Sequence, residues 1–165
     1  MIAMALALRP KLLIADEPTT ALDVTIQAQI LDLMMELRKR QGGASILLIT
    51  HDLAVVAETC SRVAVMYGGR IQEIGDARTV FRNPRHPYTQ GLLRSLPRPD
   101  REKKERLESI AGIVPSILDF PAGCKYWTRC PLKMEVCERV EPELVDVGLG
   151  QWCRCHLPKP AGGSP

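Results

Sequence analysis

Apolar and polar positions alternate in blocks along the first half of the chain. Leu12-Leu13-Ile14-Ala15 is a short apolar run that ends at Asp16-Glu17-Pro18, the pattern of a buried parallel strand whose carboxyl end faces a site. From Thr25 the apolar residues Ile26, Ile30, Leu33, Met34 and Leu37 recur at helical spacing. This predicts an amphipathic helix with Asp23 or Thr25 as N-cap and Gly42-Gly43 as its stop. Ile46-Leu47-Leu48-Ile49 is a second buried strand and runs into His51-Asp52. Leu53 to Ser61 reads as helix and Val63–Met66 as strand. Gly68-Gly69 turns the chain into a hairpin partner over Arg70–Ile74, and Asp76 caps a short helix through Phe81. Strands alternating with helices give an α/β layer with a mostly parallel sheet. Met1–Leu8 reads as a helix rich in Ala, Leu and Met that stops ahead of Pro10. No basic residue precedes it, which argues against a signal peptide. No run reaches the ~18 apolar residues that cross a bilayer.

Composition refines this picture. The 165 residues carry 22 Lys+Arg against 19 Asp+Glu, a net charge of +3, and are 45% hydrophobic. These values fit one domain with a small appendage and exclude an acidic disordered chain. They give no net-charge argument for nucleic-acid binding. The averages conceal two different halves, because five of the six cysteines and every aromatic residue lie at or after Tyr67.

In an open parallel sheet, ligands sit beyond the carboxyl ends of the strands. Two strand ends here carry ionisable residues: Asp16-Glu17 after the first and His51 after the second. An aspartate at such a place can hold Mg²⁺ beside a phosphate chain, a neighbouring glutamate can activate water, and a histidine can contact a terminal phosphate. The bland alternative, a polar cap on one strand, accounts for either end alone. Both ends together with Pro18 and Thr19-Thr20-Ala21-Leu22-Asp23 are more specific. Leu12–Pro18 resembles the Walker B motif of ABC-type ATPases, Ala21-Leu22-Asp23 their D-loop, and His51-Asp52 their switch histidine. The resemblance implies an incomplete P-loop NTPase layer over residues 1–82. It also implies Mg²⁺ coordination by Asp16, water activation by Glu17, a contact of Asp23 with a partner ATPase subunit, and γ-phosphate sensing by His51.

Residues 83–165 form the appendage. Residues 82–106 hold a local excess of Lys and Arg, which suits anionic headgroups or nucleic acid but is more commonly a solvated linker face. Four cysteines are spread over loops as Cys124-x5-Cys130-x6-Cys137-x17-Cys155, with Cys153 as an extra. The tight C-x-x-C pairs of zinc ribbons are absent, and four dispersed thiolates suit a Cys₄ iron–sulfur cluster at least as well as Zn²⁺. Disulfides are a third option, disfavoured in a reducing compartment. Gly123 and Pro131 read as turn formers, and Cys60 as a buried apolar residue within a helix.

Asn83-Pro84-Arg85-His86-Pro87-Tyr88-Thr89-Gln90-Gly91-Leu92-Leu93, continued by Ser95-Leu96-Pro97, is similar to a segment of oligopeptide- and dipeptide-importer ATP-binding subunits. Gly123-Cys124, Arg129-Cys130-Pro131, Cys137, Pro142 and Cys155-His156 resemble the C-terminal extension of the same subunits. That resemblance implies a [4Fe–4S] cluster on Cys124, Cys130, Cys137 and Cys155, because His156-Leu157 follows Cys155 as in the family. Cys153 and His156 remain as alternative fourth ligands. Gln151 stands where the family has a histidine.

No Gly-x-x-x-x-Gly-Lys-Ser/Thr loop and no Leu-Ser-Gly-Gly signature occur in the chain, so phosphate contacts are missing. The expectation is a chain that alone binds nucleotide poorly and hydrolyses it negligibly, with Met1 an internal methionine or the edge of a truncated frame. Read with its missing half, it is expected to be an ATPase subunit of a di- or oligopeptide importer that takes ATP and Mg²⁺. It would sit at the cytoplasmic face of the plasma membrane with a second ATPase subunit and permease subunits, served indirectly by an extracytoplasmic peptide-binding protein, without nucleic acid. Two alternatives stand beside this: a catalytically silent fragment that binds a metal or cluster, and the ATPase of a nickel or other solute importer.

Overall fold

A computed structural model of the chain describes residues 10–20, 22–40, 44–96, 109–116 and 119–157. The expected helix at Met1–Leu8, the Gly42-Gly43 stop, Ala21 of the D-loop-like segment, and Pro97 with the basic residues up to 106 lie outside them. The chain divides into two compact units between Thr59 and Cys60.

In the first unit β1 (Leu12–Asp16) and β2 (Ser45–Ile49) pair in parallel, from Leu12 opposite Ser45 to Asp16 opposite Ile49. Between them runs the 17-residue helix α1 (Val24–Arg40). The Asp23 carboxylate caps it, accepting from the backbone N–H groups of Thr25 and Ile26 at 3.0 Å each, so Asp23 rather than Thr25 is the cap. Leu13, Ala15 and Met34 are buried together, with Ile30, Ile46 and Leu48 packed around them. The alternate strand positions differ from the expectation of strands covered on both faces. Ile14 is 61% exposed and Leu47 50%, because the period-2 alternation of a strand turns them away from this core. After β2, α2 (Leu53–Thr59) starts on an Asp52 cap, with Oδ1 accepting from Ala54 N–H at 2.9 Å. It ends at Thr59, so the half-buried Cys60 follows the helix instead of lying inside it.

The second unit is built on an antiparallel sheet, which overturns the expectation of a mostly parallel sheet for this part. Strands β3 (Arg62–Tyr67) and β4 (Arg70–Asp76) form the hairpin foreseen at Gly68-Gly69. Both glycines have positive φ, 58° and 72°, as a two-residue primed turn requires. Opposite Val65 and Met66 the register shifts, and Gln72 is the extra residue of a bulge on β4. Asp76 caps α3 (Ala77–Arg82), and His86 caps α4 (Pro87–Arg94), which has proline at its first position. A 3₁₀ turn (Trp127–Arg129) and α5 (Glu135–Arg139) follow. The strands β5 (Val145–Asp146) and β6 (Trp152–Cys153) close the sheet, with β6 paired to both β4 and β5. The core of this unit is aromatic. Tyr67, Tyr126, Cys124 and Cys137 are buried together, and the Tyr67 ring lies 4.8 Å from Tyr88 and 5.4 Å edge-on from Tyr126, centroid to centroid.

Candidate functional site

The first candidate site lies at the carboxyl ends of β1 and β2. Glu17 follows β1 and extends its ladder by donating its backbone N–H to the Ile49 carbonyl at 2.9 Å. Its φ is 42°, in the left-handed region that a residue with a Cβ enters at a cost of about 1–2 kcal/mol. Held there, the carboxylate meets His51: Oε1 lies 3.0 Å from Nδ1, while Oε2 accepts from the Thr20 hydroxyl at 2.8 Å. These hydrogen bonds, led by that of His51, hold the Glu17 carboxyl below the usual carboxylate range. Both side chains are open to solvent, His51 at 78% and Glu17 at 45% exposure. Asp16 is exposed at the end of β1, opposite Ile49. The Asp23 carboxylate, expected at a subunit contact, is engaged at the start of α1. The structure therefore brings Glu17 and His51 together and leaves Asp16 and Asp23 on neighbouring, separate anchors. An ionised carboxylate with a histidine beside it can accept a proton from water or orient it.

The second candidate site lies in the cysteine-bearing unit. Cys124, Cys130, Cys137 and Cys155 line one cavity together with His86 and His156. Two backbone hydrogen bonds set two of these thiols side by side: Cys124 N–H to the Cys137 carbonyl at 2.8 Å and Gly123 N–H to the Glu138 carbonyl at 3.2 Å. Gly123 serves this close approach and not a turn. A Cβ there would run into the Cys137 carbonyl oxygen and lie 2.7 Å from that of Glu138. Cys153 does not line the cavity; it is fully buried on β6, and burial pushes its thiol far up. Burial also raises the Cys124 and Cys130 thiols, and lifts Cys155 to about 11. Cys124, Cys130, Cys137, Cys153 and Cys155 are thiols, not disulfides. Among the described residues no three His, Cys, Asp or Glu side chains are gathered around a single point as one metal ion would require.

Residues 72–137 match the family described as "Oligopeptide/dipeptide transporter, C-terminal region". Residues 1–57 match one described as "AAA domain, putative AbiEii toxin, Type IV TA system". Over all 165 residues the chain is 57% identical to the dipeptide transport ATP-binding protein DppD of Haemophilus influenzae, covering 49% of that protein. It is 53% identical to the DppD proteins of Escherichia coli and Shigella flexneri, covering 50% of each. Over its length the chain is similar to the dipeptide-transport ATP-binding proteins. It spans about half the length of the curated relatives it matches. Asp16, Glu17, Asp23 and His51 fall within the AAA match, and His86, Cys124, Cys130 and Cys137 within the transporter match.

Several residues that organise these sites were not singled out from the sequence. Thr20 fixes the second oxygen of Glu17, and Gln27 donates to Asp52 at 3.3 Å, tying α1 to the end of β2. Glu73 is fully buried on β4. It accepts from the backbone N–H of Arg85 at 2.7 Å, from that of His86 at 3.0 Å, and from the Gln151 side chain. It thereby joins β4, the start of α4 and the approach to β6. Arg129 donates to the Ile110 and Ala111 carbonyls at 3.0 Å each, fastening residues 110 and 111. Arg154 donates to the Ile71 and Pro142 carbonyls. The one signal available was Glu73 itself, a charge at a strand position flanked by Gln72 and Ile74 in a run otherwise suited to burial.

Proposed function

We propose that this chain supplies the Walker B and switch-histidine side of the ATP site in the ATPase subunit of a di- or oligopeptide importer. The observation that carries the reading is the Glu17–His51 contact at 3.0 Å, formed where two neighbouring parallel strands end. In this reading Asp16 holds Mg²⁺ beside the phosphates, and Glu17 takes the proton of the attacking water. His51 orients Glu17 and senses the γ-phosphate, and Asp23 faces a second ATPase subunit across the dimer. The isolated chain lacks the phosphate loop and signature motif and does not turn ATP over. Permease subunits in the membrane are its other partners, it works at the cytoplasmic face, and a peptide-binding protein outside acts only through them. Homology to proteins named for dipeptide transport favours peptides over nickel as the transported solute. The test joins this chain to the N-terminal half of the Haemophilus influenzae relative and measures ATP hydrolysis with and without Glu17→Gln. Unchanged turnover in the variant overturns the role of Glu17.

The shared cavity favours a second function in the same chain. Cys124, Cys130, Cys137 and Cys155 would hold a [4Fe–4S] cluster. Four thiols lining one cavity are the donor set that such a group takes. Because the group brings its own iron and sulfide atoms between the thiolates, it does not need three ligands around one point. A single Zn²⁺ does. When bound, the cluster would supply one-electron chemistry or a structural staple. The cysteines would lose their protons on loading, against the upward shift that burial gives Cys124, Cys130 and Cys155. If this were the chain's sole activity it would be a silent metal-binding fragment. Anaerobic purification with iron and sulfide analysis tests the site, and stoichiometric zinc in a colourless protein overturns it.

A further inference from the structure

His86 is 1% exposed, its ring 5.9 Å from that of Tyr126, and it lines the cavity shared by the four thiols. Its Nδ1 is committed to accepting the backbone N–H of Tyr88 at 3.0 Å, which caps α4. In a neutral imidazole one nitrogen accepts and the other carries the proton. The proton therefore sits on Nε2. That nitrogen is buried, and among the described residues no acceptor meets it at hydrogen-bond geometry, although the Arg154 carbonyl lies close enough to the ring to favour its protonated form. An unsatisfied buried donor costs about 1–3 kcal/mol, and such groups normally have a partner.

The same tautomer excludes His86 as a metal ligand. For Nε2 to bind a metal, the proton would have to move to Nδ1, where it would oppose the Tyr88 N–H, donor against donor. What the cavity offers the Nε2–H instead is an acceptor that arrives with its contents. Sulfur atoms bound to iron carry negative charge and accept such hydrogen bonds.

We propose that His86 is a positioning residue that donates from Nε2 to a sulfur of the iron–sulfur group held by Cys124, Cys130, Cys137 and Cys155, and so raises its reduction potential. This rests on the cluster reading above. A donor to the sulfurs stabilises the reduced, more negative state, so removing it lowers the potential. The backbone N–H of His86 is anchored on buried Glu73 at 3.0 Å, which fixes the ring's origin independently of its tip.

The test uses the full chain, reconstituted anaerobically with ferrous iron and sulfide, and reads the midpoint potential by EPR-monitored titration. His86→Asn keeps an oxygen acceptor for Tyr88 N–H and loses the far donor. His86→Gln places an amide N–H near the position of Nε2. The expected result is a reduction equilibrium about tenfold less favourable in His86→Asn, ~59 mV for a one-electron couple, with most of the loss recovered in His86→Gln. A cluster with an unchanged potential in His86→Asn overturns the hydrogen bond and leaves the cluster reading standing. A wild-type chain that takes up no iron and sulfide overturns both. If His86→Asn fails to hold a cluster, pulsed EPR on the ¹⁵N-histidine-labelled wild type decides. Coupling of the reduced cluster to one imidazole nitrogen, retained in His156→Gln, supports the proposal, and its absence overturns it.

Discussion

The Glu17 carboxylate and the His51 ring, 34 positions apart in the chain, meet at 3.0 Å because β1 and β2 are parallel neighbours that end at the same level. Glu17 meets the ring from a φ of 42°, with its backbone N–H fixed to Ile49. Strain concentrated at one residue, over-determined by the ladder behind it, is characteristic of a position selected for where its side chain points.

Replacement of Glu17 separates binding from chemistry. In the chain joined to the N-terminal half of its Haemophilus influenzae relative, Glu17→Gln keeps the shape and the Thr20 contact but loses the proton acceptor. ATP hydrolysis should fall ~10²–10⁴-fold, the range for losing a general base, while nucleotide binding persists. Phosphate release and equilibrium nucleotide binding, measured on the same preparation, check both halves of the expectation. Thr20→Val frees the second carboxylate oxygen and should have a smaller effect in the same direction.

Cys153 and Cys155 are two residues apart and should behave as different kinds of residue. Cys153 sits on β6 with no exposed surface, whereas Cys155 lines the cavity. Cys155→Ser should abolish uptake of iron and sulfide with little loss of stability. Cys153→Ala should keep the iron and sulfide content and cost about 1 kcal/mol or more in urea unfolding, as expected for truncating a buried side chain. The reverse pattern would make Cys153 the ligand.

The strand ends were legible in the sequence because each is a short apolar run stopped abruptly by charge, and a parallel strand reads that way wherever it is found. Asp23 as a cap and Gly68-Gly69 as a hairpin were legible for the same local reason. Glu73 and Arg129 were not, since their partners at 85, 86 and 151, and at 110 and 111, lie far along the chain. Gly123 was read through the wrong property. Glycine marks both turns and close backbone contacts, and only the fold shows that Cys137 and Glu138 pass beside it. The antiparallel sheet of the second unit was half visible. The hairpin announces itself, but β5 and β6 are two residues long each and carry no periodicity.

Glu73 is a carboxylate that three donors surround, so its removal should be among the most damaging single changes in the second unit. Glu73→Ala leaves the N–H groups of Arg85 and His86 and the amide of Gln151 without acceptors in a buried place, at about 1–3 kcal/mol each. A loss of several kcal/mol is expected. Glu73→Gln keeps one acceptor oxygen but turns a donor toward another donor and should fall between. Urea unfolding monitored by the fluorescence of Trp127 and Trp152 measures both. A loss below 1 kcal/mol in Glu73→Ala would show that Glu73 is not the joint between these elements.

His86 gives the second unit a specific sensitivity to acid. Burial lowers its pKa from the ordinary 6.5 to about 4, weakly opposed by the Arg154 carbonyl. Above pH 6.5 the ring is neutral whether the chain is folded or not, and the full stability is present. As pH falls from 6.5 toward 4, the unfolded chain takes up a proton that the folded one refuses. Stability is then lost by about 1.4 kcal/mol per pH unit, and on the order of 3 kcal/mol across the window. Below about 4 the folded protein binds the proton too and this loss stops. His86→Gln removes the titrating group but keeps a polar side chain at the start of α4. In the metal-free chain its urea midpoint should therefore fall less than that of the wild type between pH 7 and pH 4.5, whatever the carboxylates common to both contribute. Parallel declines in the two proteins would show that the imidazole is solvated and titrates freely in the folded chain.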